Sequence, residues 1–155
     1  MSATTQAPIA VLEMTRSFSA PVEKVYRAFT ESPAVARWGC GRSYENLAID
    51  LDLRPGGVLH HRARHIATGV EWTFFGVYEQ VIPNERLLYT FDWKTDWRQA
   101  AKPSLVELRF HSMGKRTEVE LVHSRLPDPA IATSEQHWNE FLQVLEELLV
   151  RQELF

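Results

Sequence analysis

From about Thr133 to Gln152, the residues Trp138, Phe141, Leu142, Leu145, Leu148 and Leu149 recur at i, i+3, i+4, i+7, i+10 and i+11. That spacing traces one stripe of a 3.6-residue period, so it predicts a single amphipathic helix closing the chain. Thr133 followed three residues on by Gln136 has capping-box form and marks its start. A long helix with one apolar stripe needs a surface to lie on. The segments before it read as strands that supply a curved one, and a curved sheet gripping a helix leaves a cavity between them. The pattern points to a binding pocket more clearly than to any chemistry inside it.

The rest of the chain supports that order. Ala10 to Phe18 alternates loosely and reads as a first strand. Ser19 or Ala20 then caps a helix with Pro21 in its first turn, where a missing N–H costs nothing. Val22, Val25, Tyr26 and Phe29 form its buried face. Ser32 caps a second short helix ending near Trp38, Gly39 and Gly41. Strands follow over 44–53, 58–65, 70–82, 86–94, 105–111 and 117–124. The turn signals Arg54-Pro55-Gly56-Gly57, Thr68-Gly69, Pro83-Asn84-Glu85 and Gly114 punctuate them. Residues 95–103 read as a polar loop carrying Trp97. The result is an α+β order, β-αα-β6-α. Its short connections demand antiparallel neighbours, because a parallel crossover needs a dozen residues or more.

Composition bounds the classes of function. At 155 residues the chain fits one domain, predicted over 10–155, with residues 1–9 as a flexible tail. A net charge of -3 with scattered Lys and Arg argues against nucleic acid, which needs a clustered basic excess. No apolar run is long enough to span a membrane. Met1 to Pro8 lacks the basic and apolar regions of a signal peptide. The single Cys40 cannot form an intramolecular disulfide. These readings predict a cytoplasmic protein. Homodimerisation enters only as a common state of soluble proteins.

The residues also resemble a known family. Arg16-x-Phe18-x-Ala20-Pro21-x-x-x-Val25-Tyr26-x-Ala28-Phe29-Thr30, then Trp38, then Asp52-Leu53-Arg54-Pro55-Gly56-Gly57 are similar to the START-like (SRPBCC) superfamily. Gly76-Val77-Tyr78-x-x-Val81-x-Pro83-x-x-Arg86-Leu87-x-Tyr89-Thr90 and the Trp-containing final helix extend the match. The chain most resembles the AHSA1-like branch, named for the activator of the heat-shock-protein-90 ATPase. The resemblance covers about Val11 to Leu149. It implies a helix-grip (START/Bet v 1-like) fold, an antiparallel sheet wrapped around the C-terminal helix. It implies no single activity, because such folds serve carriers, cyclases, dehydratases, resistance proteins and co-chaperone domains, and a fold does not fix a function.

Candidate pocket residues follow from which face of each strand looks inward. In 58–65, Leu59, His61 and Ala63 share a face opposite His60, Arg62 and Arg64, so His61 enters the cavity. In 117–124, His123 falls with Thr117, Val119 and Leu121. The face Leu87, Tyr89, Phe91 and Trp93 is placed inward with Val106, Leu108 and Phe110. For 70–82 the set Trp72, Phe74, Gly76 and Tyr78 is preferred over Thr73, Phe75 and Val77. Trp38 and Trp97 are placed at the mouth, and Trp138 and Leu142 on the helix above. The ligand-binding candidates are therefore Trp38, His61, Trp72, Phe74, Tyr89, Trp93, Phe110, His123, Trp138 and Leu142.

Metal chemistry is not expected. His60-His61-x-x-x-His65 invites a chelate, yet strand positions four apart lie about 13 Å from each other. A zinc ion needs each nitrogen within about 2.1 Å. Cys40 falls at a helix C-terminus, where nothing lowers its pKa, and reads as an inert thiol. Glu71, Glu79 and Asp92 read as solvated carboxylates. The leading expectation is a binder of a small hydrophobic or aromatic molecule, without cofactor, in the cavity between sheet and final helix. A cyclase, dehydratase or hydrolase in that cavity would need an inward carboxylate or histidine beside a polar neighbour. A co-chaperone-like interaction module would instead need an exposed apolar patch in place of a roomy interior.

Overall fold

The computed structural model describes residues 9–94 and 103–155. Seven strands form one antiparallel sheet: β1 (Ile9–Phe18), β2 (Tyr44–Leu51), β3 (Val58–His65), β4 (Glu71–Ile82), β5 (Arg86–Lys94), β6 (Ser104–Met113) and β7 (Arg116–Pro127). Helices α1 (Val22–Thr30) and α2 (Ser32–Trp38) follow β1, and α3 (Ile131–Val150) closes the chain behind a short 3-10 turn, Asp128–Ala130. This is the α+β helix-grip arrangement. Most of the expected tail lies outside the described residues, as does Trp97; Ile9, also assigned to the tail, is the first residue of β1.

The strand order is β1-β7-β6-β5-β4-β3-β2. Strands β2 to β7 form a continuous meander, as their short turns require. The β6–β7 hairpin closes through Gly114-Lys115, with Gly114 at φ +73°, a conformation glycine adopts without a Cβ clash. β1 pairs with β7, so β1 and β2 occupy opposite edges of the sheet, and α1 with α2 must carry the chain from one to the other. Between β4 and β5 the backbones approach closely at Gly76: a Cβ there would stand 1.7 Å from the Thr90 carbonyl oxygen. Only glycine fits such an approach.

Three helix starts differ from the sequence expectation. Pro21 itself takes the N-cap position of α1, and Glu31 that of α2, so Ser32 is already helical. α3 begins at Ile131, and Ala130, not Thr133, precedes it without a side-chain cap. The 3-10 turn feeds directly into α3, which leaves the Thr133 side chain no exposed N–H groups to cap.

α3 joins the two open edges of the sheet. On the β1 side Arg16 reaches Gln143 Oε1 and Glu146 Oε2, both at 2.7 Å. On the β2 side Glu140 Oε1 accepts from the Arg42 amide and the Ser43 hydroxyl, both at 2.8 Å. Beneath these polar ties the interior divides. Phe18, Val25, Ala28, Leu87, Val106, Leu108, Leu121, Leu126, Leu145 and Leu149 pack into a continuous core between α1, the C-terminal half of α3 and the β1-β7-β6 side. Toward β2–β5 the packing opens.

Truncating the filled side should be costly. Leu145 is completely buried, so Leu145→Ala is expected to lower stability by about 2–5 kcal/mol in urea unfolding. Gly76→Ala should also destabilise strongly, whereas Gly69→Ala, where a Cβ meets nothing within 4 Å, should lose only the strain of its positive φ.

Candidate functional site

The open side holds a cavity of about 380 Å³. Its sheet wall comes from β2 (Tyr44, Ile49, Leu51), β3 (Leu59, His61), β4 (Trp72, Phe74, Tyr78), β5 (Tyr89, Phe91, Trp93) and, from β7, His123. Phe29, Val35, Trp38 and Gly39 close one end, and α3 covers it with Thr133, Ser134, His137, Trp138 and Phe141. The alternation gives the inward positions of β4 and β5 largely to aromatic rings and those of β3 to Leu59, His61 and Ala63, and it leaves Val58 and Val77 exposed on the outer face. Phe91 is the hub of the wall, with ring centroids 5.9 to 6.4 Å from Phe74, Tyr89, Trp93, His123 and Trp138.

Eight expected residues, Trp38, His61, Trp72, Phe74, Tyr89, Trp93, His123 and Trp138, lie in this wall. Phe110 and Leu142 do not, and this corrects the sequence reading. Both face inward, but at the filled side: Phe110 packs edge-on against Tyr26 and Phe29, and Leu142 belongs to the same core. Tyr44, Ile49 and Leu51 were missed because the β2 pattern, with a register irregularity between Asn46 and Ala48, gives no clean alternation. Phe29 and Val35 come from helix faces that read as ordinary core. His137 and Phe141 were legible as one turn of the α3 stripe and its flank.

His123 sits at the centre of a saturated hydrogen-bond chain. The Trp138 indole N–H donates to His123 Nδ1 at 3.1 Å. An indole nitrogen has no lone pair to accept with, so Nδ1 must be bare and the proton must sit on Nε2. His123 Nε2 then donates to Ser104 Oγ at 2.8 Å, and Ser104 donates to the Phe91 carbonyl. Protonating Nδ1 would set two N–H groups against each other. Burial acts in the same direction and lowers the His123 pKa to about 4. The imidazole is a fixed, neutral brace joining β7, β6, β5 and α3.

His61 is also neutral, but differently placed. Its Nε2 lies 2.9 Å from Asn46 Oδ1 and 3.4 Å from Cys40 Sγ. Burial, with a smaller effect from His60, lowers its pKa to about 4. Burial pushes the Cys40 thiol up to about 11. Cysteine, histidine and asparagine are the residues of one type of nucleophilic relay. Such a relay needs the thiol and the amide on opposite ring nitrogens, and here both meet Nε2. With thiol and imidazole both neutral, Cys40 is the inert group its position suggests.

Among the described residues the wall contains no Asp, Glu, Lys or Arg. Of the carboxylates considered from sequence, Glu79 is exposed and Glu71 pairs loosely with Arg62 at 3.9 Å. His65 pairs with Thr68 Oγ1 at 2.9 Å, at the end of β3. Among the described residues no three His, Cys, Asp or Glu side chains come together in a way that would hold a metal ion. Nor is any of their helices long and apolar enough to cross a membrane.

A family model described as Activator of Hsp90 ATPase homolog 1-like protein matches residues 19–150. The chain belongs to this family. Among solved structures, protein CV1439 from Chromobacterium violaceum is 25% identical with a TM-score of 0.80, over 90% of this chain and 96% of its own. PFC0360w, an HSP90 activator from Plasmodium falciparum, is 21% identical with a TM-score of 0.71, over 90% and 96%. CalU16 from Micromonospora echinospora is 23% identical with a TM-score of 0.67, over 91% and 76%. The last two likenesses concern the fold alone. Comparison with curated protein sequences gives no match. The helix-grip arrangement expected of an Activator of Hsp90 ATPase homolog 1-like chain is thus present.

The two buried histidines make stability depend on pH. Both have folded pKa values near 4 against 6.5 when unfolded. The unfolded chain therefore takes up protons first. The contribution is fully present above pH 6.5 and is lost as pH falls toward 4. Each histidine should cost about 1.4 kcal/mol per pH unit through that window. Urea unfolding at about pH 7 and about pH 5 should show the loss, and His123→Gln, which retains a donor and an acceptor, should remove one histidine's share. An unchanged pH dependence in that variant would count against the assignment.

Proposed function

We propose that this protein binds a small, flat, largely apolar molecule, of aromatic character, in the cavity between β2–β5 and α3. One observation carries the reading: a cavity of about 380 Å³ walled mainly by aromatic rings and, among the described residues, free of Asp, Glu, Lys and Arg side chains. Ligand sites are commonly concave and mostly apolar, with a few placed polar groups. Rings at centroid distances of 5 to 7 Å favour edge and offset contact with another π-system. The ligand-binding candidates are the wall residues Trp38, His61, Trp72, Phe74, Tyr89, Trp93, His123 and Trp138.

This reading is preferred to an enzyme because the described residues of the cavity wall offer no carboxylate, and its two deeply buried histidines are neutral and weakly basic. It is preferred to a co-chaperone-like surface module because the interior holds a roomy apolar cavity, and most of the large aromatic rings of the sheet turn inward while the outer face exposes smaller aliphatic side chains such as Val58 and Val77. The single buried, unpaired Cys40 supports a cytoplasmic setting. The cavity is walled by one chain, so the reading does not require a homodimer.

N-phenyl-1-naphthylamine is a suitable neutral probe. Native mass spectrometry should show one molecule bound per chain, and the melting temperature should rise with probe concentration. Phe74→Ala, removing a wall ring, should weaken binding by about tenfold. Absence of both adduct and thermal shift, in a folded protein, would remove the support for a ligand pocket.

A further inference from the structure

On the β4–β5 wall two tyrosines stand side by side. Tyr78 and Tyr89 are register partners across the strands, and their rings meet edge-on at 5.8 Å and 68°. Both line the cavity. A phenol removed from bulk water ordinarily finds a hydrogen-bond partner. Among the described residues neither of these hydroxyls has one, although several other polar groups of the wall do. His123 uses both ring nitrogens, His61 Nε2 faces Asn46, and the Trp38 and Trp138 N–H groups are spent on Ala28 and His123. Behind Tyr78 lies Tyr26, whose buried hydroxyl is also unpartnered.

The state of these hydroxyls follows from their surroundings. Burial raises the pKa of all three, Tyr26 raises that of Tyr78 further, and Tyr78 that of Tyr89. They remain O–H groups at any physiological pH and present donors to whatever occupies the cavity. Among the described residues no cationic side chain lines the wall to balance an anion, which favours an uncharged oxygen as the matching acceptor.

We propose that Tyr78 and Tyr89 form the polar end of the cavity and donate hydrogen bonds to a carbonyl oxygen of the bound molecule, which is then a flat aromatic ketone or quinone. The assignment rests on the cavity-binding reading above and adds the ligand's functional group to it. Aromatic contact with Phe74, Phe91 and Trp93 would take the ring system, and the tyrosine pair would set which edge points inward. Two converging donors reject an analogue lacking the oxygen, because its binding would cover the hydroxyls without satisfying them.

Fluorene and 9-fluorenone share one tricyclic frame and differ by a methylene against a carbonyl, so the pair isolates this term. In equilibrium dialysis of the full chain, 9-fluorenone is expected to bind about tenfold or more tighter than fluorene. Tyr78→Phe and Tyr89→Phe keep the rings, and each should cut that preference about fivefold, by weakening 9-fluorenone binding and by relieving the penalty on fluorene. The wild-type comparison needs neither variant to fold. Equal binding of the two compounds, tighter binding of fluorene, or a carbonyl preference that survives both substitutions overturns the tyrosine assignment and leaves the cavity reading standing. Binding of neither compound overturns both.

Discussion

Helix α3 spans a sheet whose edges lie apart, and ion pairs at each side hold it there. Arg16 ties it to β1, while Glu140 and Glu147 tie it to the turn that leads into β2. Exposed ion pairs of this kind contribute little each. Their effect here is positional, because they set where the apolar stripe crosses the sheet. Once that crossing is set, the C-terminal half of the stripe buries Leu145 and Leu149 in aliphatic core, and the N-terminal half carries Ser134, His137 and Trp138 over a gap. Solid packing and hollow packing come from one helix.

The hollow half is kept from collapse by its own side chains. Bulky rings from β4, β5 and α3 meet in stacked, tilted and edge-on contacts, and the Trp138–His123–Ser104–Phe91 chain fixes four elements at one point. Each member has its donors and acceptors satisfied, so no local shift improves the bonding. A fully satisfied buried network rigidifies its surroundings. The cavity is thus braced by polar groups that are unavailable to a ligand, while the tyrosine hydroxyls beside them have no hydrogen-bond partner among the described residues.

Periodicity made much of this legible. Alternation in β3 places Leu59, His61 and Ala63 together, and the buried faces of β4 and β5 follow the same rule. What periodicity cannot tell is the position along the strand at which filling gives way to space. Phe110 and Tyr89 both face inward, yet α1 packs over Phe110 while Tyr89 borders the cavity. Leu142 and Trp138 are one turn apart on α3 and fall on opposite sides of the same divide. β2 resisted reading for a local reason, since an irregular register breaks its alternation at Asn46–Ala48. The capping box at Thr133 failed because the chain enters α3 through a 3-10 turn two residues earlier. These features depend on what other segments cover, and that information is spread over the whole chain.

Trp38, Trp72, Trp93 and Trp138 all border one space, in a chain with five tryptophans. The indole N–H of Trp138 is tied to His123, while the ring surfaces of this group face the cavity. Most of the near-ultraviolet absorption and emission of the molecule therefore originates around a single interior volume. The optical spectrum of the folded protein is in effect a reading of that volume's polarity, and a change of its contents is a change of colour.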